Sequence, residues 1–495
     1  MTKYVVGPKI LKKEQVLISI FLITILVLSS GSMVAFAKSN TYLVKPNGHD
    51  DTADIQAAFN ACGISPGCTV RLVAGTYYTA QITVYGFQGS FLGMGQGVTV
   101  IQALPNLPSP ATAYNTPTSD FMTGMPGPTN PWPDLFTFVG GSFSISRMTL
   151  TDPYSTPTQG YYFGGYPPYP GLGTALYAGI LVTSLTQVSA TVDHVTVLGT
   201  SGDALGLTNM WDGVLYGGEL MPTPQTTTIP ISGTFSVTNS VFDSEVSGPQ
   251  IGYSVGATVT DCYNTITNAP YPTGFIDSYN SKIIICGNQI SNVMYGAGIS
   301  ASQGEFTPGT LPSTVYITNN RVSQVSQGAN GAFLYDNNVP PTLNAVITGN
   351  TFQNTSPEGV DWGYSVIASL TLKSTIISLN NIAGGGSDGI YLNGGPGTII
   401  GNIITGAANG VLLDVASGVH VAGNVVRDTG VNGIVVMSFN YAGSAITTPS
   451  SNDYVIGNFV HNSGTADLYW DGLGTNNHWC GNIYKTSSPS VLPGC

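Results

Sequence analysis

The chain has 495 residues, with 63 Gly, 31 Pro and only 8% charged residues. Its 25 acidic residues outnumber its 13 Lys and Arg, and the formal net charge of −12 argues against nucleic acid or an anionic membrane surface as a partner. A polar surface with so few charges suits neutral glycans, and it also suits an acidic medium in which carboxylates are protonated.

The first 37 residues are predicted to be an export signal and not part of the fold. Four lysines precede an apolar run from Val16 to Leu28, and Ala35-Phe36-Ala37 fits a small-x-small cleavage site. The alternative is an uncleaved N-terminal anchor, because the apolar stretch is nearly long enough to span a bilayer. Both alternatives place the remaining chain outside the cytoplasm, so we expect a secreted or cell-surface protein.

Residues 50–62 predict a short helix at the start of the folded part. Asp51 stands at the position of an N-cap, and Ile55, Ala58 and Phe59 fall on one helical face. The stretch TVRLVAGTYYT that follows predicts the first strand and turn. A helix at this place would plug the first coil of a repeat structure and cover its open edge.

Long inserts interrupt the strands. The inserts span 104–133, 152–173, 208–232, 302–313 and 439–452. The first three are rich in Pro, Gly and aromatic residues, and aromatic faces suit sugar rings. We therefore expect Tyr161, Tyr162, Trp211 and Tyr216, together with His194, to bind substrate. The last three inserts follow the same strand of the coil and would wall a groove; the alternative is that the loops only cover the sheet and pack on themselves.

Downstream, the chain repeats itself with a minimum period of 22 residues. Each unit opens with Asn-x-apolar, at Asn239, Asn264, Asn288, Asn320, Asn350, Asn380, Asn402, Asn424, Asn458 and Asn482. A polar residue followed by Gly lies between the units, as in Asp388-Gly389 and Asn409-Gly410, and predicts a turn leading into a strand. Each unit therefore holds about three short strands, which bury their interior only by stacking on further units.

The fold class that follows is all-β: a right-handed parallel β-helix, a solenoid with an N-terminal capping helix and coils about 4.8 Å apart. The stacked Asn side chains should form a hydrogen-bonded ladder. We place the β-helix at residues 42–484 and a C-terminal closing segment at residues 485–495. The regular coils from 380 to 437 carry almost no insert and are expected to be scaffold only.

Residues 50–101, with DDTADIQAAFNAC and TVRLVAGTYYT, resemble the N-terminal cap and first coils of the pectate-lyase-like superfamily, and the Asn repeats resemble its β-helix repeat. The resemblance covers most of residues 42–484. It implies a scaffold shared by polysaccharide lyases, glycoside hydrolases, epimerases, esterases, tailspikes and adhesins, so it selects no single activity. Polygalacturonase-like members carry a double Asp after Gly, but here Ala204 follows Asp203, and the Arg-x-Pro-x-x-Arg of pectate lyases does not occur.

Four acids cluster in the middle coils, namely Asp193, Asp243, Glu245 and Asp261, and His194 is adjacent to the first of them. Coil stacking would bring them close together, and glycoside hydrolysis requires two carboxyl groups about 5 to 10 Å apart. They are therefore the candidate catalytic residues. The alternative is that Asp193 and Asp261 replace ladder Asn residues and are structural.

Six cysteines in an exported chain favour disulfides over metal ligands, and no CxxC pair predicts a metal site. Sequence neighbours suggest the pairs Cys62–Cys68, Cys262–Cys286 and Cys480–Cys495. The second pair is separated by about one coil, which lies within the Cα–Cα range of a disulfide.

These observations predict an exported β-helix protein that binds a neutral or weakly charged polysaccharide or cell-surface glycan, with cleavage or modification left open. Such an enzyme would be a glycoside hydrolase or a lyase. The alternative is a non-catalytic cell-surface or adhesive protein whose stiff shape is its function. No cofactor is identified, a bound Ca²⁺ stays open, and no membrane contact beyond an N-terminal anchor is expected.

Overall fold

The computed structural model describes residues 40–104, 134–153, 176–199, 210–217, 232–243, 247–269, 272–293, 296–304, 309–325, 329–354, 365–384, 386–438 and 449–494. These residues contain one helix, α1 (Thr52–Cys62), and 38 strands.

The strands of the first half are β1 (Thr41–Val44), β2 (Cys68–Leu72), β3 (Gly75–Thr79), β4 (Ile82–Tyr85), β5 (Gln88–Leu92), β6 (Thr99–Ala103), β7 (Phe136–Thr151), β8 (Leu176–Leu198), β9 (Met210–Gly217), β10 (Ser232–Thr238), β11 (Val241–Asp243), β12 (Ser247–Val255), β13 (Thr258–Cys262), β14 (Thr265–Thr267), β15 (Thr273–Tyr279), β16 (Lys282–Cys286), β17 (Gln289–Val293) and β18 (Gly296–Gln303). The strands of the second half are β19 (Ser313–Thr318), β20 (Arg321–Val325), β21 (Ala329–Asp336), β22 (Leu343–Thr348), β23 (Thr351–Asn354), β24 (Ile367–Leu370), β25 (Ser374–Ser378), β26 (Asn381–Ala383), β27 (Asp388–Asn393), β28 (Gly397–Ile400), β29 (Ile403–Thr405), β30 (Asn409–Asp414), β31 (His420–Ala422), β32 (Val425–Arg427), β33 (Asn432–Met437), β34 (Tyr454–Ile456), β35 (Phe459–His461), β36 (Ala466–Trp470), β37 (His478–Cys480) and β38 (Ser487–Ser488).

Strands of successive coils pair in parallel, so the strands fall into three stacks. Sheet A contains β1, β2, β5, β10, β13, β16, β19, β22, β25, β28, β31, β34 and β37; sheet B contains β3, β6, β11, β14, β17, β20, β23, β26, β29, β32 and β35; sheet C contains β4, β9, β12, β15, β18, β21, β24, β27, β30, β33, β36 and β38; β7 and β8 run through all three. One strand of each sheet makes one coil, which is the parallel β-helix that the repeat predicts.

A one-residue corner with left-handed backbone separates sheets A and B. Its residues are Arg147, His194, Asn239, Tyr263, Gly287, Asn319, Gly349, Leu379, Gly401, Gly423, Gly457 and Gly481, with φ between 51° and 68°. Glycine fills many of these positions because it adopts this conformation without a steric penalty. The corner turns the chain sharply, so the next residue points into the coil.

The residue after the corner forms the Asn ladder, from Asn264 through Asn402 to Asn482. In every step the backbone N–H donates to the Oδ1 atom of the next coil, at 2.8–3.0 Å. Asn402 also donates from Nδ2 to Ile377 O and to Asn424 Oδ1, each at 2.9 Å. The ladder thus satisfies buried polar groups that would otherwise lack partners.

The ladder prediction was wrong at Asn239, which occupies the left-handed corner. Ser240 takes the inward position instead: its backbone N–H donates to Asn264 Oδ1 at 2.9 Å, and its Oγ atom accepts from Val195 N at 3.1 Å. The register explains the error, because Thr238 pairs with Asp193 and with Cys262. The inward ladder position of this coil is therefore one residue further along the chain than the Asn pattern indicates.

The interior is filled by inward apolar side chains, mostly aliphatic, from the strands of all three sheets. Helix α1 packs on the first coils through the buried residues Ile55, Ala58 and Phe59, as predicted. The Phe59 ring lies 5.2 Å from Phe87 and 5.0 Å from Phe91 in edge-to-face geometry. The capping face of the helix is therefore aromatic as well as aliphatic.

Asp51 stands at the N-cap position but makes no side-chain cap bond to the helix. Its carboxylate accepts instead from Asn47 N at 2.8 Å and from Tyr78 N at 3.0 Å. The side chain is fully buried, so it ties the preceding loop and the strand β3 together. The predicted position of the helix start was right and the predicted role of the side chain was wrong.

Disulfides link Cys62 to Cys68 and Cys262 to Cys286, and both predictions are confirmed. Cys262 and Cys286 are register partners on adjacent coils, with Cα atoms 4.5 Å apart. Cys480 is also disulfide-bonded, and Cys495 lies outside the described residues. Near this end, β38 pairs with β36, and Trp479 N donates to Pro493 O at 3.0 Å.

Candidate functional site

Asp193 and His194 lie at the outer edge of sheet A, where β8 reaches the corner. Asp193 Oδ2 is 2.7 Å from His194 Nδ1, and the side chains are 36% and 56% exposed. Asp193 Oδ1 accepts from Thr238 Oγ1 at 2.8 Å and from Asn239 Nδ2 at 2.9 Å. Desolvation opposes the charged form, but the hydrogen bonds from Asn239, His194 and Thr238 outweigh it and lower the pKa of Asp193. The carboxylate is thus exposed, ionised and held by three neighbours.

Asp243 ends β11 on the outer side of sheet B, which is a different sheet from that of Asp193. Its Oδ1 atom accepts from Asn268 Nδ2 at 2.6 Å, and Asn268 Oδ1 accepts in turn from Asn292. Asp243 therefore begins a short polar ladder on the outside of three coils. The structure separates the two acids by the corner between sheets A and B.

Asp261 is enclosed in the interior, with 1% of its surface exposed. It occupies the inward column that holds Val237 in one neighbouring coil and Ile285 in the other. Its carboxyl group accepts from Asn264 Nδ2 at 2.6 Å and from Thr273 Oγ1. Burial raises the pKa of Asp261 to about 6, although these hydrogen bonds lower it in part.

The grouping of Asp193, Asp243 and Asp261 as one acid cluster is therefore corrected. Two of the side chains face outward on different sheets, and the third faces inward, where a polymer does not reach it. Asp261 is not a ladder residue either, because Asn264 holds that position. The sequence pattern was ambiguous here, since Asp261 and Asn264 both fit a spacing of about one coil.

The other predicted site residues lie outside what the structure describes. Glu245, Tyr161 and Tyr162 fall in undescribed segments, and the side chains of Trp211 and Tyr216 are not described. The backbone of Trp211 and Tyr216 belongs to β9, which pairs with β8 and β12 in sheet C. The prediction of an insert over all of 208–232 was thus wrong for residues 210–217, which are a regular strand of the coil.

Two further findings concern the described residues only. They hold no group of three or more His, Cys, Asp or Glu side chains placed to bind a metal ion. They also hold no helix with the length and apolar character needed to cross a membrane.

The outer face of sheet C carries a cluster that the sequence patterns did not indicate. We call it the sheet C site: Phe333, Tyr335, Tyr391, Asn393 and Asp414. These residues come from β21, β27 and β30, at positions that alternate with the buried Leu334, Leu392 and Leu413. Alternation along a strand places them on the side opposite to the core. The site therefore faces outward, and its residues Tyr391, Asn393 and Asp414 lie on the coils 380–437 that were expected to be scaffold only.

Polar atoms of the sheet C site are joined by hydrogen bonds. Tyr391 Oη donates to Asp414 Oδ2 at 2.9 Å, and Asn393 Nδ2 lies 3.2 Å from Tyr391 Oη and 3.3 Å from Asp414 Oδ2. Burial and the adjacent Asp414 raise the pKa of Tyr391, so its hydroxyl stays protonated and remains a donor. Asp414 is only 3% exposed, which shows that its neighbours cover it on the outer face.

Apolar surface surrounds these polar atoms. The rings of Phe333 and Tyr335 are 5.5 Å apart and tilted by 51°. Ala368 lies between Phe333 and Tyr391 in the same outward column, one coil from each. Ala368 is only 2% exposed, so its neighbours cover it and the outer surface here is formed by the aromatic side chains. The signal in the sequence was the alternation FLYD and YLN, which sets aromatic and polar residues opposite to the core leucines.

Residues 310–482 match the protein family described as the right handed beta helix region. The matched part runs from the start of β19 to the end of β37 and includes the whole sheet C site. No curated protein matches the chain.

Among solved structures, the chain is similar to the catalytic unit of a thermostable GH87 α-1,3-glucanase from Streptomyces thermodiastaticus strain HF3-3. The identity is 14%, the match covers 93% of this chain and 72% of that one, and the TM-score is 0.50. It is also similar to the periplasmic alginate epimerase AlgG (13% identity, 83% and 78% covered, TM-score 0.48). A polygalacturonase from Erwinia carotovora ssp. carotovora matches with 14% identity, 77% and 93% covered, and a TM-score of 0.40.

Identities this low establish the fold alone. The chain is a right-handed parallel β-helix, as the sequence predicted.

Proposed function

We propose that this protein is an exported polysaccharide-binding protein that holds a neutral or weakly charged glycan on the sheet C site. The observation that carries the proposal is the composition of that outward face, where aromatic rings flank a hydrogen-bonded Tyr–Asn–Asp group. Fold similarity does not select a ligand, so the proposal rests on these side chains.

Phe333, Tyr335 and Tyr391 supply the apolar contribution to binding. Sugar rings present C–H groups that pack on aromatic faces, and each aromatic contact contributes about 1 kcal/mol beyond the apolar area that it buries. Phe333 and Tyr391 belong to coils that are separated by the coil of the covered Ala368, so a ligand would contact these rings on the outer surface. An extended glycan could therefore contact several coils in sequence.

Asn393 and Asp414 fix the orientation of the polar groups that would meet the ligand. The carboxylate of Asp414 already accepts from Tyr391 Oη, so the hydroxyl group is fixed before a ligand arrives. Fixed polar groups of this kind select the position of sugar hydroxyls at a low entropic cost. The site contains one carboxylate and no Lys or Arg, which favours an uncharged ligand over an anionic one.

Binding is better supported than cleavage. Asp193 and Asp243 lie on different sheets and Asp261 is enclosed, so the described residues of the predicted cluster do not form an opposed carboxyl pair. Cleavage by Asp193, Asp243 or Glu245 stays a prediction, as does glycan contact by His194, Trp211, Tyr216, Tyr161 and Tyr162. The two disulfides support export, because such bonds persist in oxidising compartments.

A panel of soluble polysaccharides tests the proposal. The full chain should be retarded in gels that contain neutral glucans or other uncharged glycans, and less retarded by polyuronates. The same panel, read for reducing ends and unsaturated products, measures cleavage at the same time. Retardation by polyuronates alone would contradict the proposal, because the site would then be expected to carry basic residues.

A further inference from the structure

The outer face of sheet A carries a regular array of hydroxyl groups in its first coils. On β7, β8, β10 and β13, ten of the twelve outward positions are Ser or Thr. The three columns are Ser142, Ser189, Thr234, Thr258; Ser144, Thr191, Ser236, Thr260; and Ser146, Asp193, Thr238, Cys262. We call these positions the hydroxyl array.

The central column extends further toward the N-terminus. Thr41, Thr69 and Ser90 precede Ser144 in unbroken parallel register. Seven consecutive coils, through Thr191 and Ser236 to Thr260, therefore place a hydroxyl at one position of the sheet. In the next two coils this column holds Ile284 and Tyr316, so the run of Ser and Thr ends at Thr260.

Strand propensity does not account for the array. Thr is favoured in strands because it is β-branched, but Ser has no such preference, and half of the ten hydroxyl positions are Ser. Asp193 is the one charged residue in the array.

Many of these hydroxyls are available for a ligand. Ser189 Oγ and Thr234 Oγ1 bond to each other at 2.8 Å, and Thr238 Oγ1 donates to Asp193. Within the described part of the chain, the hydroxyls of Thr191, Ser236 and Thr260 make no side-chain hydrogen bond. All the Ser and Thr side chains of the array are exposed or half-buried.

The coil spacing can be measured on the same sheet. The rings of His420, Tyr454 and His478 lie in one outward column of three consecutive coils, and their centroids are 4.8 Å apart in both steps. This spacing is set by the amide hydrogen bond between neighbouring strands. Polysaccharide chains that stack through amide groups are held by the same bond, so their repeat should be close to the repeat of the array.

We propose that the hydroxyl array binds the surface of a crystalline N-acetylated polysaccharide, with chitin as the test ligand, through hydroxyls in register with the stacked chains. The absence of basic residues from the array fits an uncharged partner, and its small side chains allow a flat surface to approach. This surface is separate from the sheet C site and the inference does not depend on the proposed function.

Partition of the full chain between solution and crystalline α-chitin tests the proposal, with crystalline cellulose as the matrix that lacks amide groups. Ser236→Lys places a long charged side chain at the centre of the array and should weaken partition onto chitin by about tenfold or more, because it keeps a flat surface away from the neighbouring hydroxyls and loses water on contact. Thr191→Val keeps the β-branched shape, removes one hydroxyl and should weaken partition several-fold. Thr398→Lys is the matched control, because it lies in the same column outside the array and should leave partition unchanged.

The result that supports the proposal is stronger partition onto chitin than onto cellulose, lost in Ser236→Lys and kept in Thr398→Lys at equal melting temperatures. Equal partition onto both matrices would contradict the proposed match between the array and the stacked N-acetylated chains, and so would an equal loss in both lysine variants. Tyr391→Ala should weaken binding of soluble glycans and leave partition onto chitin unchanged. The two measurements therefore test the sheet C site and the hydroxyl array separately.

Discussion

The coils between Asp193 and Asp261 and the coils between Phe333 and Asp414 differ in what their sequences suggest and in what their surfaces present. The first region is rich in acids, but its described acids point in three directions: outward on sheet A, outward on sheet B, and into the core. The second region was expected to be scaffold from residue 380 onward, but it gathers aromatic and polar side chains on one outward face.

Position in the coil, and not density in the sequence, therefore decides whether residues form a site. A shift of one residue moves a side chain from the outer face to the core, because strand side chains alternate. Asp261 lies inside for this reason, and Asn393 and Asp414 share a face for the same reason.

The largest expected effect concerns the ladder. Asn402→Leu should lower the free energy of unfolding by about 2–5 kcal/mol, since it removes bonds to Asn380, Asn424 and Ile377 O in a fully buried position. Ser240→Ala, in the acid-rich coils, removes fewer bonds and should cost about 1 kcal/mol. Denaturant melts of both variants give the comparison, and equal losses would mean that the ladder is no stronger in the regular coils.

The second prediction concerns pH. The pKa of Asp261 is raised to about 6 in the folded state, so the unfolded chain loses its proton first as pH rises from 4 to 7. Protonated Asp261 therefore stabilises the fold at low pH. This contribution to the free energy of unfolding is lost as the pH rises through 6, and it amounts to about 3 kcal/mol for a pKa shift of this size. Burial also raises the pKa of Asp134 to about 7 and of Asp453 to about 6, which adds to the same trend.

Thermal melts between pH 4 and pH 7.5 should show a higher melting temperature at acidic pH. Asp261→Asn should make this profile less steep, because an amide keeps the shape of the protonated carboxyl group and does not titrate, whereas Asp134 and Asp453 still do. Asp193→Asn is the matched control: the pKa of Asp193 is lowered, so its contribution is constant over this range and falls only at lower pH. Identical profiles for the wild type and Asp261→Asn would show that Asp261 is not buried.

The smallest effect should come from Tyr391→Phe. Removing the hydroxyl breaks the bond to Asp414 Oδ2 and should cost about 1 kcal/mol of unfolding free energy. The apolar face of the ring remains, so glycan affinity should fall less than in Tyr391→Ala. Isothermal titration and chemical unfolding separate the two contributions, and an unchanged stability would mean that Tyr391 and Asp414 are not bonded in solution.

Much of the fold could be predicted because the repeat is local and regular. The 22-residue period, the corner glycines and the Asn positions after Gly287 each reflect one physical requirement of a stacked coil. Asn239 broke the prediction because Ser240 meets the same requirement with a different side chain. The disulfide between Cys262 and Cys286 was predictable because its separation equals one coil.

The candidate site was harder to predict because it depends on register between coils. Nothing near Tyr391 in the sequence indicates Asp414, which is 23 residues away and becomes a neighbour only through the pairing of β27 with β30. Phe333 and Tyr391 are joined in the same way through Ala368. The acids at Asp193 and Asp243 were prominent in the sequence, but the corner between sheets A and B separates them.

The most direct test of the sheet C site compares two variants on one ligand. Calorimetric titration of the soluble neutral glycan selected from the panel should show that Tyr391→Ala weakens binding by about 1–3 kcal/mol, the scale of one aromatic face. Asp193→Asn should leave the affinity unchanged, since Asp193 lies on sheet A. The opposite result, with binding lost in Asp193→Asn and kept in Tyr391→Ala, would contradict glycan binding on the sheet C site and would place the ligand on the acid-rich coils.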